Sequence, residues 1–214
     1  ITNKYALLLN STNFPDANFR AYMRSLYPKG YMTQAEINSL TTLDVHGKSI
    51  ANMTGVEKLT ALQKLYCYNN SFTSLNLDSN TALTYLDCAP NTQLTSLSIG
   101  NCTNLETFIC YNTGITSLNL TYLSKLKTLA CYNTKLTSLA VVAKPQLTTV
   151  NCSNCTSMTS VNISANSALY SLNISGCTAL KYLYCYSNNL TTLNITGNTA
   201  LNTLECYKNY NLAS

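Results

Sequence analysis

Apolar residues recur along this chain in one phrase, read most plainly at Leu126 to Leu139 as L-K-T-L-A-C-Y-N-T-K-L-T-S-L. Its skeleton is Leu126, Leu129 and Cys131, then Tyr132, a polar turn, and Leu136 with Leu139. The same skeleton returns at Leu62/Leu65/Cys67, Leu83/Leu86/Cys88, Leu105/Phe108/Cys110, Leu147/Val150/Cys152, Leu180/Leu183/Cys185 and Leu201/Leu204/Cys206. The cysteines are 21, 22, 21, 21, 33 and 21 residues apart. A fixed period in the twenties predicts a solenoid, because no single repeat can bury its own apolar side. Each Leu-x-Cys reads as a short inward-facing strand of a parallel concave sheet. The return runs through pairs spaced i and i+2, such as Leu75/Leu77, Leu97/Ile99, Leu139/Val141 and Leu193/Ile195, which predicts extended or turn-like backs rather than long helices.

Two details set the expected register. Three residues after each ladder cysteine stand Asn70, Asn91, Thr113, Thr134, Cys155, Asn188 and Asn209. A buried Asn there can bond the backbones of neighbouring coils and form a polar column beneath the turn. Cys152-Ser-Asn-Cys155 therefore places Cys155 in the Asn position and reads as structural, although its spacing is that of a redox or metal CxxC. Cys102 and Cys177 are expected at a matching spot on the opposite side. The second detail is the 33-residue step, which holds one extra unit, Leu169-Tyr-Ser-Leu-Asn-Ile174. Eleven residues are too few for a coil, so an enlarged convex turn is expected there and no added strand.

Residues 1–40 lack the repeat and predict a helix-loop-helix cap on a solenoid spanning 41–214. Asn13-Phe-Pro-Asp16 reads as a helix start with proline in the first turn, followed by Phe19, Tyr22, Met23 and Leu26 at helical spacing. Thr33-Gln-Ala-Glu36 reads as a capping box opening a second helix. The pair resembles an EF-hand, with Gly30 at the sharp turn and Glu36 at the last carboxylate position, but Ser25, Tyr27 and Lys29 fill the earlier positions. A lysine in that ring repels calcium, so no metal site and no cofactor are assigned.

Charged residues make up 10% of the chain, and its +5 net charge is spread thinly, with arginine only at Arg20 and Arg24. Nucleic-acid binders cluster Lys and Arg on one face, so nucleic acid is not expected as a partner. No stretch has the ~18–20 apolar residues of a membrane span. The chain opens at Ile1, which reads as a trimmed product and is compatible with export. Seven of the ten cysteines share one position per repeat, which predicts a column of buried free thiols rather than disulfides.

Residues that flank the inward Leu and Cys must point outward. These columns hold Tyr66, Tyr68, Tyr85, Tyr111, Tyr132, Tyr182, Tyr184, Tyr186 and Tyr207, nine of the sixteen tyrosines, and all are expected on one concave face. Tyrosine offers rigid amphipathic area at low entropy cost, so this face is the candidate partner-binding site, richest at Tyr182, Tyr184, Tyr186 and Tyr207. His46 is the only histidine and shares the first strand's outward face with Asp44. Successive outward residues lie ~7 Å apart, which predicts no direct pair, and no catalytic residue is assigned.

The L-xx-L-x-C-xx-N skeleton over residues 43–212 resembles the leucine-rich repeats, and its period and cysteine ladder resemble the internalin-like bacterial surface proteins. The Asn13–Tyr22 and Thr33–Ile37 segments resemble the cap of secreted repeat proteins from gut Bacteroides-type bacteria. That resemblance implies a right-handed, non-enzymatic, extracellular or cell-surface module for adhesion or recognition of a host or bacterial surface protein. A glycan-binding face and a structural spacer within a longer surface protein are the alternatives.

Overall fold

The computed structural model describes residues 7–213. Most coils contribute two short strands about half a coil apart, so the solenoid carries two parallel sheets enclosing one core. The first sheet stacks Thr42–Asp44, Lys64–Tyr66, Tyr85–Asp87, Thr107–Ile109, Thr128–Ala130, Thr149–Asn151 and Ser171–Asn173. The second sheet has two parts. Ser74–Asn76 pairs with Ser96–Ser98, and beyond a coil without strand pairing come Ser138–Ala140, Ser160–Asn162, Tyr182–Tyr184 and Thr203–Glu205. Every central residue of these strands is a Leu, Val or Phe, turned inward except at the last strand, where Leu204 is exposed, and side-chain alternation on so short a strand leaves its two neighbours outside. The expected extended backs are thus present, and they pair with one another as a sheet of their own.

This arrangement corrects the reading of the 33-residue step. Ser171–Asn173 is a strand, paired in register with Thr149–Asn151 on the first sheet. Tyr182–Tyr184 pairs with Ser160–Asn162 on the second. The step is one and a half coils, not one coil with an enlarged turn. The inward column of the first sheet runs Val45, Cys67, Cys88, Cys110, Cys131, Cys152, Ile174, and that of the second runs Leu77, Ile99, Leu120, Val141, Ile163, Cys185, Cys206. Each column advances by 21 or 22 residues throughout. The cysteine ladder therefore changes sides of the core, which is possible because a buried thiol and an aliphatic side chain are exchangeable there.

The polar column beneath the turns divides in the same way. On the first side it contains Asn70, Asn91, Thr113, Thr134, Cys155, Cys177 and Asn198, so Cys177 sits one coil beyond Cys155 and not opposite it. Asn80, Cys102, Asn166, Asn188 and Asn209 belong to the second side. Asn91 Nδ2 donates to the carbonyls of Cys67 and Cys88, at 3.0 and 2.7 Å, while its Oδ1 accepts from Asn70 N at 2.7 Å. Where the column is not Asn, a single donor serves. Thr113 and Thr134 hydroxyls donate to Cys110 O and Cys131 O, at 2.7 and 2.8 Å, and Cys155 Sγ donates to Cys131 O at 3.3 Å. Just before this column, Asn69, Asn112, Asn133 and Asn154 adopt positive φ near 50–56°, a conformation Asn tolerates better than most residues.

The N-terminal segment packs on the first coil. Helix α1 spans Ala17–Leu26 with Asp16 as N-cap, so Pro15 lies just outside the helix and not in its first turn. Helix α2 spans Gln34–Ser39 behind the expected Thr33–Glu36 capping box. Phe14, Phe19, Met23 and Met32 are fully buried in the same apolar cluster as Leu43 and Val45. Asp16 Oδ2 accepts from Ala51 N and Asn52 N. Only glycine fits at position 55, where φ is +110° and a Cβ would lie 2.5 Å from the Phe14 ring.

Asn166 is fully buried; its Nδ2 donates to Val141 O and Ile163 O, and its Oδ1 accepts from Lys144 N. Asn166→Ala orphans Val141 O and Lys144 N, while Ile163 O keeps its bond from Asn188 Nδ2, and is expected to lower unfolding stability by about 2 kcal/mol. Urea denaturation measures this, and a loss below about 1 kcal/mol would refute the structural role of the column.

Candidate functional site

The outward columns do not bring nine tyrosines onto one face. Tyr66, Tyr68, Tyr85, Tyr111 and Tyr132 lie on the first sheet, whereas Tyr182, Tyr184, Tyr186 and Tyr207 lie on the second. The half-coil offset at the 33-residue step separates them. The molecule has two aromatic patches, on opposite sheets and towards opposite ends of the solenoid. Small Ser, Thr and Asn residues fill the complementary stretches, such as Ser138, Ser160 and Asn162 on the second sheet and Thr149, Asn151 and Ser171 on the first.

Parallel in-register pairing sets the geometry of the rings. Residues that follow the inward cysteine stack coil upon coil, at about the 4.8 Å strand spacing. Tyr111 and Tyr132 stack at 4.4 Å with 7° between their planes, and Tyr186 and Tyr207 at 4.7 Å with 2°. His46 stacks on Tyr68 at 4.7 Å, a partnership not anticipated from the sequence. Tyr66 and Tyr85 meet at 5.0 Å, tilted by 38°. Rings held in this way turn their faces to each other and their hydroxyl edges to solvent. The first-sheet tyrosines are half-buried, while Tyr182 and Tyr207 are 43% and 53% exposed. Beside Tyr111 and Tyr132 runs an open groove of about 650 Å³ along the turns, lined by Thr92, Asn112, Asn133, Lys135, Asn154 and Thr156 among others.

A second regularity lies one residue before the inward cysteine position. Asn151, Asn162 and Asn173 each accept the backbone N–H two residues ahead, at 3.1 Å, closing the strand into its turn. Asp44 and Asp87 make the same bond, to His46 N at 3.2 Å and Ala89 N at 3.1 Å. Asp44 also reaches His46 Nδ1 at 2.6 Å, so the expected lack of a direct pair is overturned. The turn that follows the strand folds His46 back over Asp44, and Tyr68 holds the ring there. Asp87 has no such partner. Burial raises its carboxyl above the usual range, partly offset by the Ala89 N–H. Burial, and next the Asp87 charge, push Tyr85 up as well.

The thiols are core material. Nine of the ten cysteines are buried, Cys206 is partly exposed, and none is in a disulfide. Burial pushes Cys102 and Cys185 up to about 12 and Cys88 and Cys152 higher still. In the Cys155–Cys177 contact the hydrogen bond from Cys177 favours the Cys155 thiolate and disfavours its own ionisation. In the loop resembling an EF-hand, Lys29 Nζ lies 2.7 Å from both Glu36 oxygens. That contact, with the Thr33 amide, holds the Glu36 carboxyl down at about 2. The lysine thus occupies the carboxylate that calcium would need.

No family model matches the chain. Internalin J of Listeria monocytogenes is 42% identical over 71 residues, a stretch that is 32% of this chain and 8% of that protein. The chain is a parallel-strand solenoid with a buried cysteine column, and over those 71 residues it is similar to an internalin. Among solved structures, the functional domain of Listeria monocytogenes internalin J, described as including a cysteine ladder, is 22% identical. It aligns over 94% of this chain and 75% of its own, with a TM-score of 0.35. Listeria monocytogenes internalin C2 is 19% identical over 94% of this chain and 97% of its own, with a TM-score of 0.49.

Two outcomes follow for this solenoid. A thiol reagent should titrate ten free thiols in the unfolded chain prepared without reductant, and in the folded chain should react first at Cys206; fewer than ten on unfolding contradicts the ladder. Asp87→Asn keeps the turn bond and removes the charge. Because the folded chain binds the Asp87 proton more tightly than the unfolded chain does, stability is lost as pH rises through the folded pKa. The variant should therefore melt higher than the parent at neutral pH and show no gain near pH ~3, where Asp87 is largely protonated in the folded and the unfolded chain alike. An equal or lower melting temperature at neutral pH contradicts this.

Proposed function

We propose that this solenoid is a recognition module that binds a protein partner across the tyrosine-bearing part of its first sheet, at the surface of or outside the cell. The observation that carries the reading is the ring column His46–Tyr68 and Tyr111–Tyr132 with Tyr66 and Tyr85 beside it. It is a rigid, half-buried aromatic area with hydroxyls along its rim, the composition that protein interfaces favour. Ring order is already enforced by stacking, so binding costs little side-chain entropy. A glycan stacks on a broad run of open ring faces, and here most faces are turned to one another, the Tyr111 face towards Ala89 being an exception, which favours a protein side chain over a sugar. The likeness to internalin J, a short stretch of a much longer protein, supports the same class of function. Catalysis finds no support in the Asp44–His46 pair, whose histidine is stacked and whose neighbours on the strand, Thr42 and Leu43, include no group placed to be activated.

The test is affinity capture from a preparation of exposed cell-surface proteins, followed by binding measurements with the purified captured protein. Tyr111→Ala with Tyr132→Ala should weaken binding by more than tenfold, about 1.4 kcal/mol or more, with the melting transition retained. Undiminished binding by that folded variant would overturn the assignment to the first sheet.

A further inference from the structure

The turn-closing position identifies a charge that the fold does not require. In the first sheet it is held by Asp44, Tyr66, Asp87, Ile109, Ala130, Asn151 and Asn173, and a neutral carboxamide closes the turn at Asn151 and Asn173 as well as Asp does elsewhere. Asn76, Asn119 and Asn194 perform the same bond in other coils. Only Asp44 and Asp87 bring a charge to this role. Asp44 has a side-chain partner in His46 Nδ1. The Asp87 charge is left over: one oxygen accepts Ala89 N–H, and no cation pairs with the carboxylate among the described residues.

Its surroundings are aromatic. Asp87 lies in register between Tyr66 on one strand and Ile109 on the next, with Tyr85 two residues before it on the same face. Tyr68 and Tyr111 stand on either side of the neighbouring Ala89 rung. The electrostatic coupling of Tyr85 to Asp87, Tyr66, Tyr68 and Tyr111, and of Tyr132 to Asp87, places these groups around one centre. Lys64, the basic residue in register with Tyr85, forms no ion pair among the described residues. A half-buried carboxylate ringed by tyrosine π-systems attracts cations twice over, through the anion and through the ring quadrupoles.

We propose that Asp87, with Tyr66, Tyr85 and Tyr111 as its walls, is a socket for an arginine side chain of the protein partner. This rests on the reading of the first sheet as a protein-binding face. A guanidinium is planar and weakly hydrated, stacks on aromatic rings and bonds carboxylates with paired N–H donors, so it suits a shallow socket with an acidic floor. The chain's own positive charges are spread thinly, and at physiological salt a separation beyond ~8 Å is screened, so the local carboxylate dominates.

The experiment is an amide-resolved NMR titration of the whole chain with N-acetyl-arginine amide, with the neutral, near-isosteric N-acetyl-citrulline amide in parallel. The arginine probe should produce saturable shifts at the Tyr66, Tyr85 and Ala89 amides in the millimolar range, weakened by salt. Citrulline should produce none. Asp87→Asn, which keeps the turn bond, should bind the arginine probe at least about tenfold more weakly while remaining folded. The folded Tyr186→Ala/Tyr207→Ala variant, altered on the other sheet, should bind like the parent. Equal response to both probes, unweakened binding by Asp87→Asn, or no saturable shift at these amides would each overturn the socket. If a partner is captured through Tyr111 and Tyr132 while the probe fails, the socket alone falls. If the probe binds but those tyrosines are dispensable for the partner, the recognition reading falls instead.

Discussion

Each coil of this chain depends on the coils either side of it, because a 21–22-residue loop with two three-residue strands cannot bury its own leucines or satisfy its own backbone. Hydrogen bonds between successive coils supply the pairing, and they work only in register. The inward residue of every strand therefore sits directly above its equivalent, as Leu65, Leu86, Phe108, Leu129 and Val150 do along the first sheet. The rest of the architecture follows from that repetition: thiols become a column, Asn carboxamides become a second column under the turn, and outward rings stack face to face.

Repetition also separates structural duty from surplus. A residue shared by many coils has a role that the register explains. Asn at the turn-closing position serves the backbone, and beneath the turn Thr caps a carbonyl of its own coil and Cys one of the preceding coil, each doing half of what Asn does. What stands out is the residue that performs the shared role and carries something more. Asp87 bonds Ala89 N–H as an Asn would, yet keeps an ionised, desolvated oxygen among tyrosines. Such a group costs stability in the free chain, and groups of that kind concentrate where a protein meets something else.

The helical segment shows the same logic at the end of the stack. Its Phe14, Phe19 and Met23 fill the apolar layer that the first coil would otherwise expose, and Gly55 permits the approach. In the loop between the helices, a geometry suited to a cation is occupied internally by Lys29 against Glu36.

The sequence by itself determined the solenoid, its period, the inward Leu and Cys positions, the capping box and the polar column, because each depends on spacing along one strand or one turn. It also placed Tyr132 outward, since alternation is local. What it left open was which side of the core each half-repeat occupies. Two half-repeats of one L-x-x-L-x-apolar pattern, ending in Ile174 and Cys185, do not declare their side of the core in one dimension, and only pairing decides that Ser171–Asn173 joins the first sheet and Tyr182–Tyr184 the second. That decision divided one presumed tyrosine face into two. Side-chain direction at a turn is likewise tertiary: Asp44 and His46 are too far apart along an ideal strand, and the bend after Val45 brings them to 2.6 Å. The cysteine motif that organises the chain is thus legible as a core from the sequence, while the surface mounted on it is assembled only when the coils stack.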